Sequence, residues 1–508
     1  MKTNLFFLTL FGVFLLWGCS QIDFDKNFVS PQFNQDKGKT NVNFNVGLTT
    51  AEAFVEILNK DTDGVLRKEV KEFTPIVQNG DTLLYLINYK DDKGWVIISG
   101  DKRTSGILGY DDKGSFELES LNPGQITWLD DLANQIYVLK KQANIEADTL
   151  AADFVLWNNI ETLVANNEKR KSSAVPPVLP IIITDPEDLD ELGHWDLLGI
   201  TSQEISPTQV GPLIQTKWGQ GLPWNTCVPN NVNTGKNCAT GCVAVAGAQM
   251  LYYLHYLWNV PATMYSSGYC SGYVVSSNSY DYSFSFSNRT ETAWDEMAKQ
   301  INWGLDYQGK PIMILNNGTQ LVSFLMGYIG WQVGMTYGEQ SGAPLENLVG
   351  FFSSEGINSS CADFNSSTIV PSINNNLPVI VSAAATQNNH TFLGLFHLYY
   401  TYDDGHAWII DGYQNKQIKY TYSYEWHPNV DPNPLLITPI YYKTEENIIA
   451  TPNYFSMNWG WDSYSDSGWY AMGNNAVWTV VDYDKNNNPI NVNYQYQKKM
   501  IVNFSKNC

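Results

Sequence analysis

Thr240-Gly241-Cys242-Val243-Ala244-Val245-Ala246-Gly247-Ala248-Gln249-Met250 opens with residues suited to starting a helix. It then places Val245, Ala246, Gln249, Met250, Tyr253, Leu254 and Leu257 at helical spacing. The pattern predicts a helix near 241–258 with Cys242 in its first turn. Unsatisfied N–H groups and the positive end of the helix dipole favour a thiolate there, and the thiolate is the reactive form of cysteine. Taken alone, a cysteine among small residues is more often a buried structural side chain, so chemistry at Cys242 requires a partner elsewhere.

Three other segments supply partners. Gly405-His406-Ala407-Trp408-Ile409-Ile410-Asp411-Gly412 reads as a strand with His406 at its start, and an imidazolium beside a thiolate lowers the thiol's pKa and can later protonate a leaving amine. In Phe455-Ser456-Met457-Asn458-Trp459-Gly460-Trp461, the Asn458 oxygen could accept the imidazole N–H, with the Trp459 indole shielding that bond from water. Trp461 reads as turn packing. Trp218-Gly219-Gln220-Gly221 carries a glutamine flanked by glycines, whose carboxamide, with the Cys242 N–H, would make a two-donor oxyanion hole. The other five histidines read as structural or surface groups.

Outward from this centre the chain changes texture. Residues 1–18 read as a signal peptide, and Leu16-Trp17-Gly18-Cys19 resembles a bacterial lipobox that would lipidate Cys19, although Trp17 is bulkier than usual there. A spacer covers 19–47, a small folded unit 48–165, a linker 166–208 and a large α+β unit 209–508. In the small unit Ala51–Leu58 reads as helical. Leu83–Tyr89 and Gly94–Ser99 read as a hairpin, and a helix starts near Asn122-Pro123 with Trp128, Leu129, Leu132, Ile136 and Leu139 on one face. Within the linker, Lys169-Arg170-Lys171 is the most cleavable-looking run. The large unit should be mostly strands after residue 375, with Tyr420, Tyr422 and Tyr424 sharing one strand face.

The 508 residues carry 51 acidic and 30 basic side chains, a net charge of −21, which argues against nucleic acid or an anionic membrane surface as partner. Membrane attachment is expected through the N-terminal lipid only. Seven cysteines show no zinc spacing, and no metal or other cofactor is expected; disulfide connectivity is open.

In the order Gln, Cys, His, Asn-Trp, the four segments resemble the streptopain family of papain-like cysteine peptidases. Tyr337-Gly338-Glu339-Gln340-Ser341-Gly342-Ala343 resembles the family's substrate-cleft loop, and Tyr494-Gln495 its C-terminal end. Gly94–Arg103 with Gly106–Tyr110 is similar to its inhibitory prodomain. The resemblance implies an α+β fold, a papain-like catalytic domain after a small inhibitory prodomain, and an endopeptidase zymogen that matures itself. Its catalytic residues would be Cys242, His406, Asn458, Gln220 and Trp459. Ser341, Gly342, Ala343 and Gly405 would contact protein or peptide substrates, and the chain's own prodomain would be its inhibitor. Two departures stand out: His406 and Asn458 lie further apart than the family's short turn, so Tyr413–Asn453 reads as an inserted hairpin, and Cys227, Cys238, Cys270 and Cys361 are not a family hallmark. Two rival readings are a Cys–His amidase of cell-wall cross-links, against which an inhibitory segment argues, and an adhesive or glycan-binding lipoprotein suggested by the aromatic content.

Overall fold

The computed structural model describes residues 43–60, 67–141, 152–172, 193–231, 234–258, 269–275, 278–285, 291–297, 302–305, 311–314, 317–338, 341–383, 406–428, 441–451, 453–461, 468–471, 481–483, 489–491 and 499–506. Cys19, Gly405, Glu339-Gln340, Tyr494-Gln495 and Cys508 lie outside them.

The upstream part contains α1 (Leu48–Asn59), β1 (Val70–Gln78), β2 (Asp81–Tyr89), β3 (Trp95–Ser99), β4 (Ile107–Asp111), α2 (Pro123–Lys141) and α3 (Ala152–Ser172). The expected hairpin is present, with β2 and β3 antiparallel from Leu84↔Ser99 to Asn88↔Trp95. Asn122 and Gln125 start α2 by reciprocal bonds: Gln125 N–H donates to Asn122 Oδ1 (2.8 Å) and Asn122 N–H to Gln125 Oε1 (3.2 Å). This is a capping box, and Pro123 at the next position loses no bond by lacking an N–H. Trp128, Leu129, Leu132, Ile136 and Leu139 are buried along one face of the helix, as its spacing predicts.

Downstream come β5 (Gly193–Val210), α4 (Cys242–Trp258), β6 (Tyr269–Val275), β7 (Asn278–Ser285), α5 (Glu291–Met297), β8 (Asn302–Leu305), β9 (Pro311–Ile314) and α6 (Asn317–Gln332). They are followed by α7 (Asn347–Ser354), β10 (Ile357–Asp363), α8 (Ser366–Asn374), β11 (Val379–Ala383), β12 (His406–Pro428), β13 (Tyr442–Ala450), β14 (Tyr454–Asn458), β15 (Trp469–Ala471), β16 (Val481–Tyr483), β17 (Pro489–Asn491) and β18 (Lys499–Lys506). The fold class is α+β, as expected.

One sheet runs through both parts in the order β1-β2-β3-β4-β15-β14-β12-β11-β18-β10. The upstream strands join the downstream ones where β4 pairs with β15, Tyr110 opposite Trp469 and Gly109 opposite Tyr470. β12 has two halves. Its first lies between β11 and β14, and its second extends the same sheet past them, pairing with β5 on one side and β13 on the other. The expected inserted hairpin is therefore β12 with β13, and β5 completes it as a three-stranded ribbon.

The linker expectation for 166–208 needs correction at both ends. Its first residues close α3, so the backbone of Lys169-Arg170-Lys171 is helical, because Leu156, Ile160 and Leu163 bury a helix face that carries the turns beyond them. Its last residues form β5, whose partner in β12 is far away in sequence and invisible to a local pattern.

Candidate active site

Cys242 is the first residue of α4, half-buried, and follows Gly241, whose φ of 88° lies in the left-handed region that favours glycine. A Cβ at Gly241 would stand 2.6 Å from the Met335 sulfur and 3.1 Å from the Ser341 carbonyl oxygen. The first helical bond, Val245 N–H to the Gly241 carbonyl (3.1 Å), leaves the preceding N–H groups without intrahelical acceptors at the thiol. The Gln220 segment is tied to the same turn, since Thr240 N–H donates to the Gln220 carbonyl (3.0 Å). The candidate cleft loop is tied there as well: Ala239 N–H donates to the Gly338 carbonyl (3.2 Å), and Thr336 bridges Gly342.

His406 begins β12 and is 3 % exposed. Its Nε2 lies 3.0 Å from the Trp459 carbonyl. A carbonyl only accepts, so Nε2 carries the proton and a neutral ring keeps its lone pair on Nδ1. Burial pushes the imidazole pKa down to about 4, with the Trp459 carbonyl bond opposing. The ring therefore stays neutral in this arrangement near neutral pH. Trp408 stacks near the imidazole with centroids 6.2 Å apart, and Trp461 meets it edge-on at 6.1 Å. Trp461, read from sequence as turn packing, is thus a neighbour of the histidine.

The Asn458 expectation is corrected. The Asn458 side chain does not hold the imidazole: its Oδ1 accepts from Gln249 Nε2 (3.0 Å) and Gly460 N–H (3.3 Å), and its Nδ2 donates to the Thr216 carbonyl (2.9 Å) and Gln249 Oε1 (3.2 Å). The physical reason is competition, because a buried carboxamide two helical turns along from Cys242 offers a reciprocal pair that satisfies both amides. Gln249, fully buried, also accepts from Thr216 Oγ1 (2.9 Å) and Trp218 N–H (3.3 Å). It binds together the nucleophile helix, the strap leading to Gln220, and the Asn458-Trp459 turn. Sequence reasoning placed it only as a helix-face residue; its signal was being the one strongly polar side chain in the run Val243–Leu251.

A second buried anchor holds the same strap. Asp411 accepts from Ser456 Oγ (2.8 Å) and Ile214 N–H (3.1 Å). Burial pushes its carboxyl up to about 6, against the opposing pull of Lys217 and these bonds.

The upstream part reaches the site through α2. A Cβ at Gly124 would fall 2.1 Å from Trp459 Cε3 and 2.9 Å from His406 Cδ2, so the helix start lies directly against both rings. Next to it Gln125 Nε2 donates to the Tyr470 hydroxyl (3.2 Å), and Trp128 Nε1 donates to the Ala471 carbonyl (3.0 Å).

Residues 218–470 match the Peptidase C10 family, and residues 40–136 match the Spi protease inhibitor family. Residues 218–470 form a Peptidase C10 region. Streptopain of Streptococcus pyogenes is 26 % identical over 262 residues, 49 % of this chain and 49 % of that protein. The chain thus spans about half the length of the curated relatives it matches. Among solved structures, a fragment of Prevotella intermedia prointerpain A aligns over 85 % of this chain and 98 % of that one, at 18 % identity and a TM-score of 0.43. Active interpain A from the same organism aligns over 58 % of this chain and 94 % of that one, at 20 % identity and a TM-score of 0.34. The C10 match contains Gln220, Cys242, His406, Asn458 and Trp459, and the inhibitor match contains Gly124. A C10 chain preceded by an inhibitor domain has the organisation of a precursor, as the resemblance implied.

Proposed function

We propose that the chain is a cysteine endopeptidase made in latent form, with Cys242 as nucleophile and His406 as its acid–base partner. The observation that carries this reading is Gly124, which brings an inhibitor-type helix against the one imidazole the chemistry needs. In the reaction, the Cys242 thiol gives its proton to His406, Sγ bonds to the scissile carbonyl carbon, and the C–N bond breaks as His406 passes that proton to the leaving amine. Water, deprotonated by His406, then hydrolyses the thioester. The Cys242 N–H and the Gln220 carboxamide take the developing oxyanion. Ser341, Gly342, Ala343 and Gly405 contact the peptide, Trp459 shields the histidine, and Asn458 acts through Gln249 rather than on the imidazole. No cofactor takes part.

A thiol-directed epoxide tests this on matured protein. The expected result is labelling at Cys242 alone, with loss of hydrolysis of denatured protein and no hydrolysis of cell-wall muropeptide. Labelling spread over several cysteines would point to a binding lipoprotein, and muropeptide cleavage to an amidase. Cys242→Ala should leave full-length precursor uncut; normal processing of the purified variant, with no other protease present, would refute self-maturation.

The same proposal covers location. Cys19 carries lipid and anchors the precursor in the outer membrane, and a cut within 165–210 separates that anchor from the catalytic part, which leaves once its inhibitor is gone. Fractionation of cells and medium, with N-terminal sequencing of the soluble form, tests it; mature catalytic domain found only in membranes would sink it.

A further inference from the structure

We infer that the ribbon formed by β5, the far half of β12 and β13 is a retention platform for the inhibitor domain, so that cutting the connection between α3 and β5 leaves the inhibitor bound and the site covered. The inference rests on reading the upstream part as inhibitor. It concerns a surface outside the catalytic machinery, built by the chain's insertion.

The ribbon presents one apolar face: Leu197 and Ile200 from β5, Ile418, Tyr420 and Tyr422 from β12, and Ile449 from β13. Register fixes that face, since Ile200 stands opposite Tyr422 and Ile418 opposite Ile449. All six are buried in one core cluster with Phe54 and Ile57 of α1 and Trp157, Ile160 and Leu163 of α3. Both helices belong to the upstream part. Two polar bonds cross the same seam: Ser202 Oγ donates to the Ile57 carbonyl (3.0 Å), and Asn166 Nδ2 donates to the Leu197 carbonyl (3.2 Å).

Every platform residue follows residue 192, and every covering residue precedes residue 173. A cut between them breaks one peptide bond and no contact of this seam. The buried apolar face then holds the fragments together as an interface core does, and exposing it to water would leave a contiguous apolar patch of the kind that folded proteins keep covered. Covalent processing and loss of the inhibitor are therefore separate events, and the second needs the inhibitor domain itself to be unfolded or digested.

The test uses the full chain with Cys242→Ala, so that it cannot cut itself, and with a recognition site for a sequence-specific protease placed within residues 173–192. After nicking and dilution, size-exclusion chromatography reports whether the fragments travel together. The expected result is one particle for the otherwise unaltered chain, and a dissociation constant weakened roughly 30-fold or more when Ile418→Ser and Tyr422→Ser are combined, since both sit in a desolvated interface core. Asn166→Ala with Ser202→Ala removes only the two cross-seam bonds, opens no large cavity, and should weaken retention by roughly 10-fold; it decides the matter if the first pair fails to fold. Separation of the unaltered nicked chain on dilution, or equal retention by the variants, overturns the inference. The readout needs no activity, so a failure of the peptidase reading would appear in thiol labelling and leave this result intact.

Discussion

The upstream part meets the downstream part at several places, and two of them differ in character. At the first, Gly124 and the start of α2 lie on His406 and Trp459 through a contact that tolerates no side chain at all. At the second, α1 and α3 cover the ribbon with a broad apolar face carrying few polar bonds. The first lies on the candidate reacting groups, at the edge of a broad apolar core that α2 shares with Trp408, Phe455, Met457, Trp459 and Tyr470; the second lies away from them. On the proposed reading, blocking belongs to the first contact, while holding is shared by the apolar core beside it and by the ribbon.

The sharpest way to break the blocking seam is Gly124→Ala. Alanine favours helix over glycine by about 1 kcal/mol, so α2 itself gains, yet the new methyl would enter the Trp459 ring. Overpacking of this kind costs about 1–3 kcal/mol. Hydrolysis of a small peptide by uncut Gly124→Ala precursor should therefore rise roughly 10-fold or more, with the ribbon seam intact. An unchanged rate would mean that the helix start is not what blocks the site.

Gln249→Leu probes the catalytic side of the comparison. It leaves the Asn458 carboxamide buried with fewer partners, at a cost of about 1–3 kcal/mol in stability. Turnover should fall roughly 10-fold through displacement of the Gln220 strap, with the inhibitor still bound. Gln249→Glu, which restores an acceptor to Asn458 Nδ2, should recover part of the loss. If stability and turnover both match the parent, the hub has no positioning role.

pH separates the seams by sign. An ordinary imidazole takes its proton near 6.5, whereas burial holds His406 down to about 4. Between those values an opened chain binds a proton that the latent arrangement refuses. The His406 contribution to the latent state is therefore complete above pH 6.5 and declines as pH falls toward 4. Asp153, in α3 at the ribbon seam, is pushed by burial from 3.8 up to about 6, so its contribution is complete below 3.8 and lost as pH rises through 6. Thermal unfolding of the precursor across this range should show both limbs. Asp411, also raised by burial to about 6, adds to the high-pH limb with the same sign, so Asp153→Asn should reduce that limb without abolishing it and leave the low-pH limb in place; a parallel shift of both would contradict the assignment. The smallest effect belongs to Glu446→Ala, which removes an exposed ion pair with Lys419 (3.1 Å) on the ribbon. Retention after nicking should change less than about 5-fold, as exposed pairs contribute at most about 1 kcal/mol.

Much of this was legible in the chain because it is local. The Cys242 helix, the β2–β3 hairpin and the α2 face follow from spacing and turn chemistry within a few residues, whereas the inserted hairpin follows from the family resemblance. What was not legible is non-local. β5 looks like linker because its partner lies far downstream, and the basic run looks like linker because the packing that keeps its backbone helical lies in the turns before it. The Asn458 carboxamide reads as a histidine partner until Gln249, on another element, proves the better match. The join of β4 to β15 is non-local as well: among the described residues it pairs Tyr110 with Trp469 and Gly109 with Tyr470, far apart in sequence.

That join has a consequence for solubility. While the inhibitor domain is present, the outer side of β15 is paired with β4; once the domain leaves, the backbone groups of Trp469 and Tyr470 that faced β4 become an open sheet edge. Open edges invite other chains to add a strand, and proteins blunt them by keeping edge strands short. On the proposed reading, the inhibitor domain is in this respect also a cover over an edge that would otherwise invite aggregation.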